Sequence, residues 1–223
     1  RQRQMCIRDR SIREELDVLL AIHSTPARRY LKSDPIPDET IRVILDAAIR
    51  GPSGGNQQGW GWIVVKDLEV KQEIQKFYLE GWERAYGYQK DEILNSTVQD
   101  GLGKRNFLSA EHLANNLAEA PVWVIPVLKN VNQSPRAGSS IYGAIQNLML
   151  AARSFGIGST LTTLYSAYEE EVKVILGLPS EYTTMALIPL GYPSKGRWSQ
   201  PKRQPIEEVT HWEKWGQLHP KNT

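Results

Sequence analysis

Three separated segments carry residue types that suit a flat, anionic ligand. Arg28-Arg29 lies in a proline-punctuated stretch, Thr25–Pro37. Ser53-Gly54-Gly55-Asn56-Gln57-Gln58 is a run of small residues and amides, and Lys202-Arg203 follows Gly191-Tyr192-Pro193-Ser194-Lys195-Gly196. Small residues let a planar ligand approach the backbone. Amides offer donors and acceptors to a heterocycle, and arginine forks match a phosphate. Each segment alone has a plainer explanation: PSGGNQQ is also a bare turn, and a basic pair is ordinarily solvated.

Other chemistries lack their residues. No GxGxxG follows a strand, and Gly156-Ile157-Gly158 follows a helix pattern instead of opening one. Gly101-Leu102-Gly103-Lys104 has neither the spacing nor the hydroxyl of a phosphate-binding loop of the Walker type. His23, His112, His211 and His219 show no HExxH spacing, so no metal site is expected. There is no GxSxG.

The elements that must position these groups alternate between helix and strand. Helical spacing runs over residues 11–23 (Ile12, Leu16, Leu19, Leu20) and 38–50 (Ile41, Ile44, Leu45, Ala48). It recurs over 67–81, 105–119 (Leu108, His112, Leu113), 138–155 and the EEEVKVILGLP segment. Residues 138–155 are apolar on most sides, which predicts burial on most sides. Strands are predicted for WGWIVVK, VWVIPVLK, Ser159–Leu164 and the continuous apolar run TMALIPLGYP. Residues 82–104 have the weakest pattern and read as a long loop or lid. The whole is an α+β fold, a central mixed sheet of about four to five strands flanked by helices.

Composition sets the class. A chain of 223 residues with 40% hydrophobic and 23% charged residues is long enough for a substantial core. Its single cysteine, Cys6, excludes a disulfide framework. Residues 1–10 carry four arginines against one aspartate; without them the net charge of +2 becomes −1, so nucleic acid is not expected as a partner. That stretch is unrelated in composition to the rest and is expected to be a non-native tail, leaving 11–223 as one domain with a C-terminal extension near 194–223. No apolar run reaches the roughly 20 residues of a membrane span. The N-terminus has no apolar core of the secretory type, so a cytoplasmic location is expected.

The chain resembles the nitroreductase family of FMN enzymes from about Ile12 to Trp215. The carriers are ARRYLKSDPIPDETIRVILDAAIRGPSGGNQQGW, AIQNLMLAARSFGIGSTLTTL, LGLP, IPLGYPSKG and PKRQPIEEV, in the family's order and spacing. The family's first loop reads Arg-Arg-Ser-x-Arg. Aligned on Asp34-Pro35-Ile36-Pro37, it becomes Thr25, Pro26, Ala27, Arg28 and Arg29, so the leading basic pair is missing. The resemblance implies FMN contacts from Arg28, Arg29, Ser53, Gly54, Asn56, Gln58, Leu161, Thr162, Thr163 and Arg203. Arg29 would stand near the pyrimidine edge, Arg203 would hold the phosphate with Arg28 as a substitute, and Leu161–Thr163 would pass the flavin N5 with a hydroxyl or N–H donor. Gly59 departs from the family's proline before Trp60.

The implied activity is ping-pong hydride transfer from NAD(P)H through the flavin to a nitroaromatic, quinone or activated alkene. It uses an intertwined homodimer and no catalytic side chain. The rivals are a flavin-binding module without turnover, flavin fragmentation, dehalogenation, and a dimeric interaction protein with no cofactor. Gly55, Trp82, Tyr86 and Lys104 are the substrate-side candidates, in a lid near 82–107. The deiodinase relatives use a Glu four residues before a Tyr and a later Lys. Trp82 stands in the place of that Glu, which counts against deiodination.

Overall fold

The computed structural model describes residues 16–95, 101–131 and 136–218. The expected tail at 1–10 with Cys6, the helix start at Ile12, lid residues 96–100 and His219 lie outside them.

Strand β2, Val122–Lys129, is the axis of the sheet; its apolar run is buried from Val122 through Leu128. One edge pairs with β1, Trp60–Val65, in register from Trp60↔Leu128 to Val65↔Trp123. The other edge is shared. β5, Ile188–Gly191, follows the first half of β2, and β4, Tyr182–Thr184, follows the second. β3, Gly158–Ser159, pairs with β5 on its far side. The α+β class and five strands agree with the sequence. Every described pairing is antiparallel, however, where a mixed sheet was expected. A long helical connection can bring the chain back to either end of a sheet, so its length leaves strand direction open.

The run TMALIPLGYP is broken where a single strand was expected. Met185 N still donates to Pro126 O at 2.8 Å, but Leu187 turns away from β2. It exchanges both backbone hydrogen bonds with Thr162, at 2.8 and 3.1 Å. The predicted strand 159–164 correspondingly reduces to β3 plus this bridge.

Helices cover both faces. On one lie α2, Asp38–Ala48, with Ile41 and Ile44 buried, and α6, Tyr142–Ser154, with Ile145 and Leu148 buried. On the other lie α3, Leu68–Tyr86, and α5, Gly101–Asn116, around Ile74, Tyr78, Trp82, Phe107 and Trp123. Asp67 caps α3 by accepting from Val70 N at 3.0 Å. The segment expected as a loop is largely helical in its described part. α3 continues to Tyr86, a 3₁₀ turn spans Gly87–Gln89, and α4 spans Lys90–Asn95. α4 buries no residue, so its sequence carries no apolar period to read. α1, Val18–His23, is capped by the Asp17 carboxylate, which accepts from Leu19 N and Leu20 N. α7 spans Glu169–Leu176 and α8 spans Ile206–Val209. Among the described residues no helix is long and apolar enough to cross a membrane, and no His/Cys/Asp/Glu cluster suits a metal.

Candidate functional site

Two cavities meet at Arg29. The larger, about 1180 Å³, lies between the loop at residues 26–30 and the segment 195–205, with Arg105, Asn106 and Ser109 of α5 at one side. The loop lies directly on β3. Arg28 N donates to Ser159 O at 2.8 Å, and a Cβ at Gly158 would fall 2.7 Å from Arg28 Cβ, so glycine permits the approach. Backbone bonds from Lys32 N to Tyr192 O (2.8 Å) and from Ser194 N to Tyr30 O (3.0 Å) tie the later segment to the same loop. That pairing brings Arg203, distant in sequence, opposite Arg28 and Arg29.

Aromatic rings fasten Arg28 and Lys195 of this cavity, and Trp198 also holds the buried Arg153 behind it. The Arg28 guanidinium lies 4.5 Å and that of Arg153 4.0 Å from the Trp198 ring centre. Arg28 Nη2 donates to Gly196 O at 3.3 Å, while its buried Nε has no hydrogen-bond partner. Burial, and then the charge of Arg153, hold Arg28 below its usual pKa. Lys195 Nζ sits 4.7 Å over Tyr30, whose ring stacks on His112 at 4.1 Å. Among the described residues seven cationic side chains line the cavity and no carboxylate does.

The second cavity, about 440 Å³, is walled by α3, α5 and residues 160–164. Tyr78, Trp82, Tyr86 and Phe107 give it aromatic walls. The Trp82 ring lies 5.0 Å from Tyr86 and 5.3 Å from Phe107. Tyr78 is 2% exposed, and its hydroxyl shares a 2.7 Å hydrogen bond with Thr162 Oγ1. Burial raises the Tyr78 phenol above its usual range, opposed by the Thr162 bond and the Arg29 charge. Thr162 spends its backbone N–H on Leu187, so its hydroxyl is the donor it has left. A Cβ at Gly81 would fall 1.9 Å from Leu164 O, so α3 packs backbone to backbone on the turn after Thr163.

The structure sorts the sequence candidates into three places. Arg28, Arg29 and Arg203 line the larger cavity; Arg29, Leu161, Thr162, Thr163, Trp82 and Tyr86 line the smaller. Trp82 is a buried wall residue. Ser53, Gly54, Gly55, Asn56 and Gln58 line neither. Their turn is largely exposed, held by Gln58 N to Ser53 Oγ (3.1 Å), Gly54 N to Ser140 Oγ (3.1 Å) and Gln58 Nε2 to Asn56 Oδ1 (3.2 Å). Asn56 and Gln58 have left-handed φ values of 54° and 49°. Lys104 also lines neither cavity; its ammonium donates to Leu94 O at 2.8 Å. Sequence reasoning passed over Tyr78 and Trp198. Tyr78 stands four residues after Ile74 and four before Trp82, on the buried face of α3, and a phenol there needs a partner.

Known proteins share this arrangement of elements. The chain is 30% identical to an NADH dehydrogenase of Thermus thermophilus, over 86% of this chain and 93% of that one. It is 29% identical to rat iodotyrosine deiodinase 1 over 75% of this chain, spanning 59% of that protein's length. Its fold matches the crystal structure of a nitroreductase with bound FMN from Desulfitobacterium hafniense, with TM-score 0.66 and 25% identity, over 87% of this chain and 97% of that one. The family model described as the nitroreductase family matches residues 23–192, the stretch that contains Arg28 and Arg29 of the larger cavity and the threonine wall of the smaller, and the chain belongs to that family.

Proposed function

We propose that this chain is an FMN-dependent oxidoreductase that takes electrons from NAD(P)H and reduces a nitroaromatic, a quinone or an activated alkene. One observation carries the reading: Arg29 stands between a cavity lined by cations and a cavity lined by aromatic rings and threonines. The residues fit the cofactor at both ends. The buried, unpartnered Arg28 Nε, and a lining that among the described residues holds no carboxylate, suit a phosphate. The flat aromatic and threonine walls suit a tricyclic ring.

In this reading Arg28 and Arg203 hold the phosphate, and Leu161–Thr163 runs beside the ring. Arg29 stands at the ring's pyrimidine edge, where a fixed cation favours added negative charge. FMN, when bound, supplies the two-electron chemistry. Thr162 offers its hydroxyl, and Tyr78 fixes the direction of that hydroxyl. Tyr86 and Gln89 form the outer wall of the acceptor side.

The working form is a homodimer, and the Ser53–Gln58 turn serves the cavity of the second copy. Exposed apolar side chains support this: Val18 and Leu19 on α1, and Trp212 and Trp215 in the C-terminal segment, the last 89% exposed. A cytoplasmic setting supplies the nicotinamide nucleotide. Reductive dehalogenation is the second reading, favoured by the deiodinase among the relatives. Against it, Trp82 stands buried where that chemistry's Glu is expected, and Lys104 is turned to Leu94.

Titration of the purified protein with FMN, followed by quenching of flavin fluorescence, tests the binding. Turnover with NADH and NADPH then follows against menadione, nitrofurazone and 3-iodotyrosine. The expected result is saturable binding and reduction of the first two acceptors. Iodide release from 3-iodotyrosine alone would favour the second reading, and bound flavin without turnover would favour a storage module. Absence of saturable binding contradicts the proposal.

A further inference from the structure

The larger cavity carries more positive charge than one flavin phosphate uses. A phosphomonoester brings about 1.5 to 2 negative charges at neutral pH. The function proposed above sets Arg28, Arg29 and Arg203 toward that phosphate and the ring edge beside it. Arg105, Lys195, Arg197 and Lys202 line the same cavity in addition. Among the described residues none of these four makes an ion pair.

Their placement is built in. Arg105 projects from α5, and the other three belong to the segment tied to the first loop through Tyr192 and Ser194. Lys195 is held over Tyr30, and Gly196, at φ +79°, turns the chain between Lys195 and Arg197. Cations gathered without counter-charge repel one another, and a polyanion offsets that repulsion. NADH and NADPH share the nicotinamide and the pyrophosphate. They differ by a phosphate on the adenosine 2′-oxygen, which adds a further 1.5 to 2 negative charges, roughly.

We propose that Arg105, Lys195, Arg197 and Lys202 form a second anion subsite that takes the 2′-phosphate of NADPH, making the phosphorylated dinucleotide the preferred reductant. The inference rests on the proposed FMN chemistry of the same site and extends it to the choice of reductant. A phosphorylated acceptor would offer similar chemistry, so the probes must differ by the 2′-phosphate alone.

The test is calorimetric titration of the FMN-loaded protein with 2′,5′-ADP and with 5′-AMP, beside kcat/KM for NADPH and NADH. The wild type binds 2′,5′-ADP about tenfold or more tighter than 5′-AMP, and the kcat/KM ratio favours NADPH by about the same factor. Lys195→Gln combined with Arg197→Gln lowers both ratios toward unity, and Arg105→Gln, on a different element, lowers them in the same direction. Equal binding of the two probes, equal use of the two dinucleotides, or ratios unchanged in both variants overturns the subsite. Reduction by neither dinucleotide overturns the proposed function along with it, whereas equal reduction by both overturns only the subsite.

Discussion

Arg29, with Asn106, lines both cavities where they join, and Arg203 closes the larger of them from the opposite wall. Among the described residues Arg203 makes only a local hydrogen bond, Nη1 to Lys202 O at 3.0 Å, so little of its guanidinium is committed there. Arg203→Ala is expected to weaken FMN binding by about 1.5–3 kcal/mol, the range of a hydrogen bond to a charged group, with little change in melting temperature. Fluorescence titration checks this; unchanged affinity would remove Arg203 from the phosphate. His112 supplies a pH test. Burial, then Lys195, holds its pKa below the usual value, with Glu119 opposing. Its Nδ1 lies 3.1 Å from Asn116 Nδ2, an arrangement that a neutral ring accepting at Nδ1 satisfies. The unfolded chain therefore takes up the proton first. Stability conferred by the neutral ring is present above the ordinary histidine pKa, about 6.5, and is lost as pH falls through the window below it. His112→Gln should flatten the difference in denaturation midpoint between neutral and mildly acidic buffer.

At this scale the sequence was readable where residue type carried the message. Arg28, Arg29 and Arg203 share a cavity, as expected for basic residues grouped by a family pattern. Tyr78 was hidden because a tyrosine on an apolar helix face looks like core, and its hydroxyl bond to Thr162 spans 84 positions. Trp198 was hidden because an aromatic residue in a basic tail gives no sign of which cations it will meet.

At the scale of elements, the site depends on close approaches that small residues allow. Gly81 lets α3 touch Leu164, whose neighbours Thr162 and Thr163 line the smaller cavity. A Cβ 1.9 Å from a carbonyl oxygen must displace one of the two elements. Gly81→Ala is expected to cost about 1–3 kcal/mol or more, and to weaken flavin binding because the threonine wall moves. Urea denaturation and FMN titration together check this; a neutral Gly81→Ala would mean that α3 does not set the wall. Helix α2 was legible because burial of one face imprints an apolar period, β2 and α6 because burial on most sides leaves a nearly continuous apolar run, and β1 by its aromatic and β-branched residues. The helical lid was not, since α4 buries no residue fully and sets only Ile93 against the core, too little to imprint an apolar face. The break at Met185–Leu187 was also hidden, because a continuous apolar run looks alike whether it follows one strand or leaves it to pair with Thr162.

At the scale of the whole molecule, the amide-rich turn and the cation-lined cavity stand apart within one chain. Exposed apolar side chains cover α1 and residues 206–218. The homodimer proposed above would bring them together across two copies. Truncation after Pro205 removes Ile206, Val209, Trp212 and Trp215 while leaving Arg203, and it is expected to shift the protein toward monomer in sedimentation. An unchanged sedimentation coefficient per chain would free the C-terminal segment of that role.

Whether this fold holds a flavin that a nicotinamide nucleotide can reduce is read from the visible absorbance spectrum of the purified, FMN-supplemented and desalted protein, followed anaerobically during addition of NADPH. A flavin band that survives desalting and bleaches with the nucleotide is the predicted result. A colourless protein, or a flavin band that neither NADPH nor NADH bleaches, would contradict it.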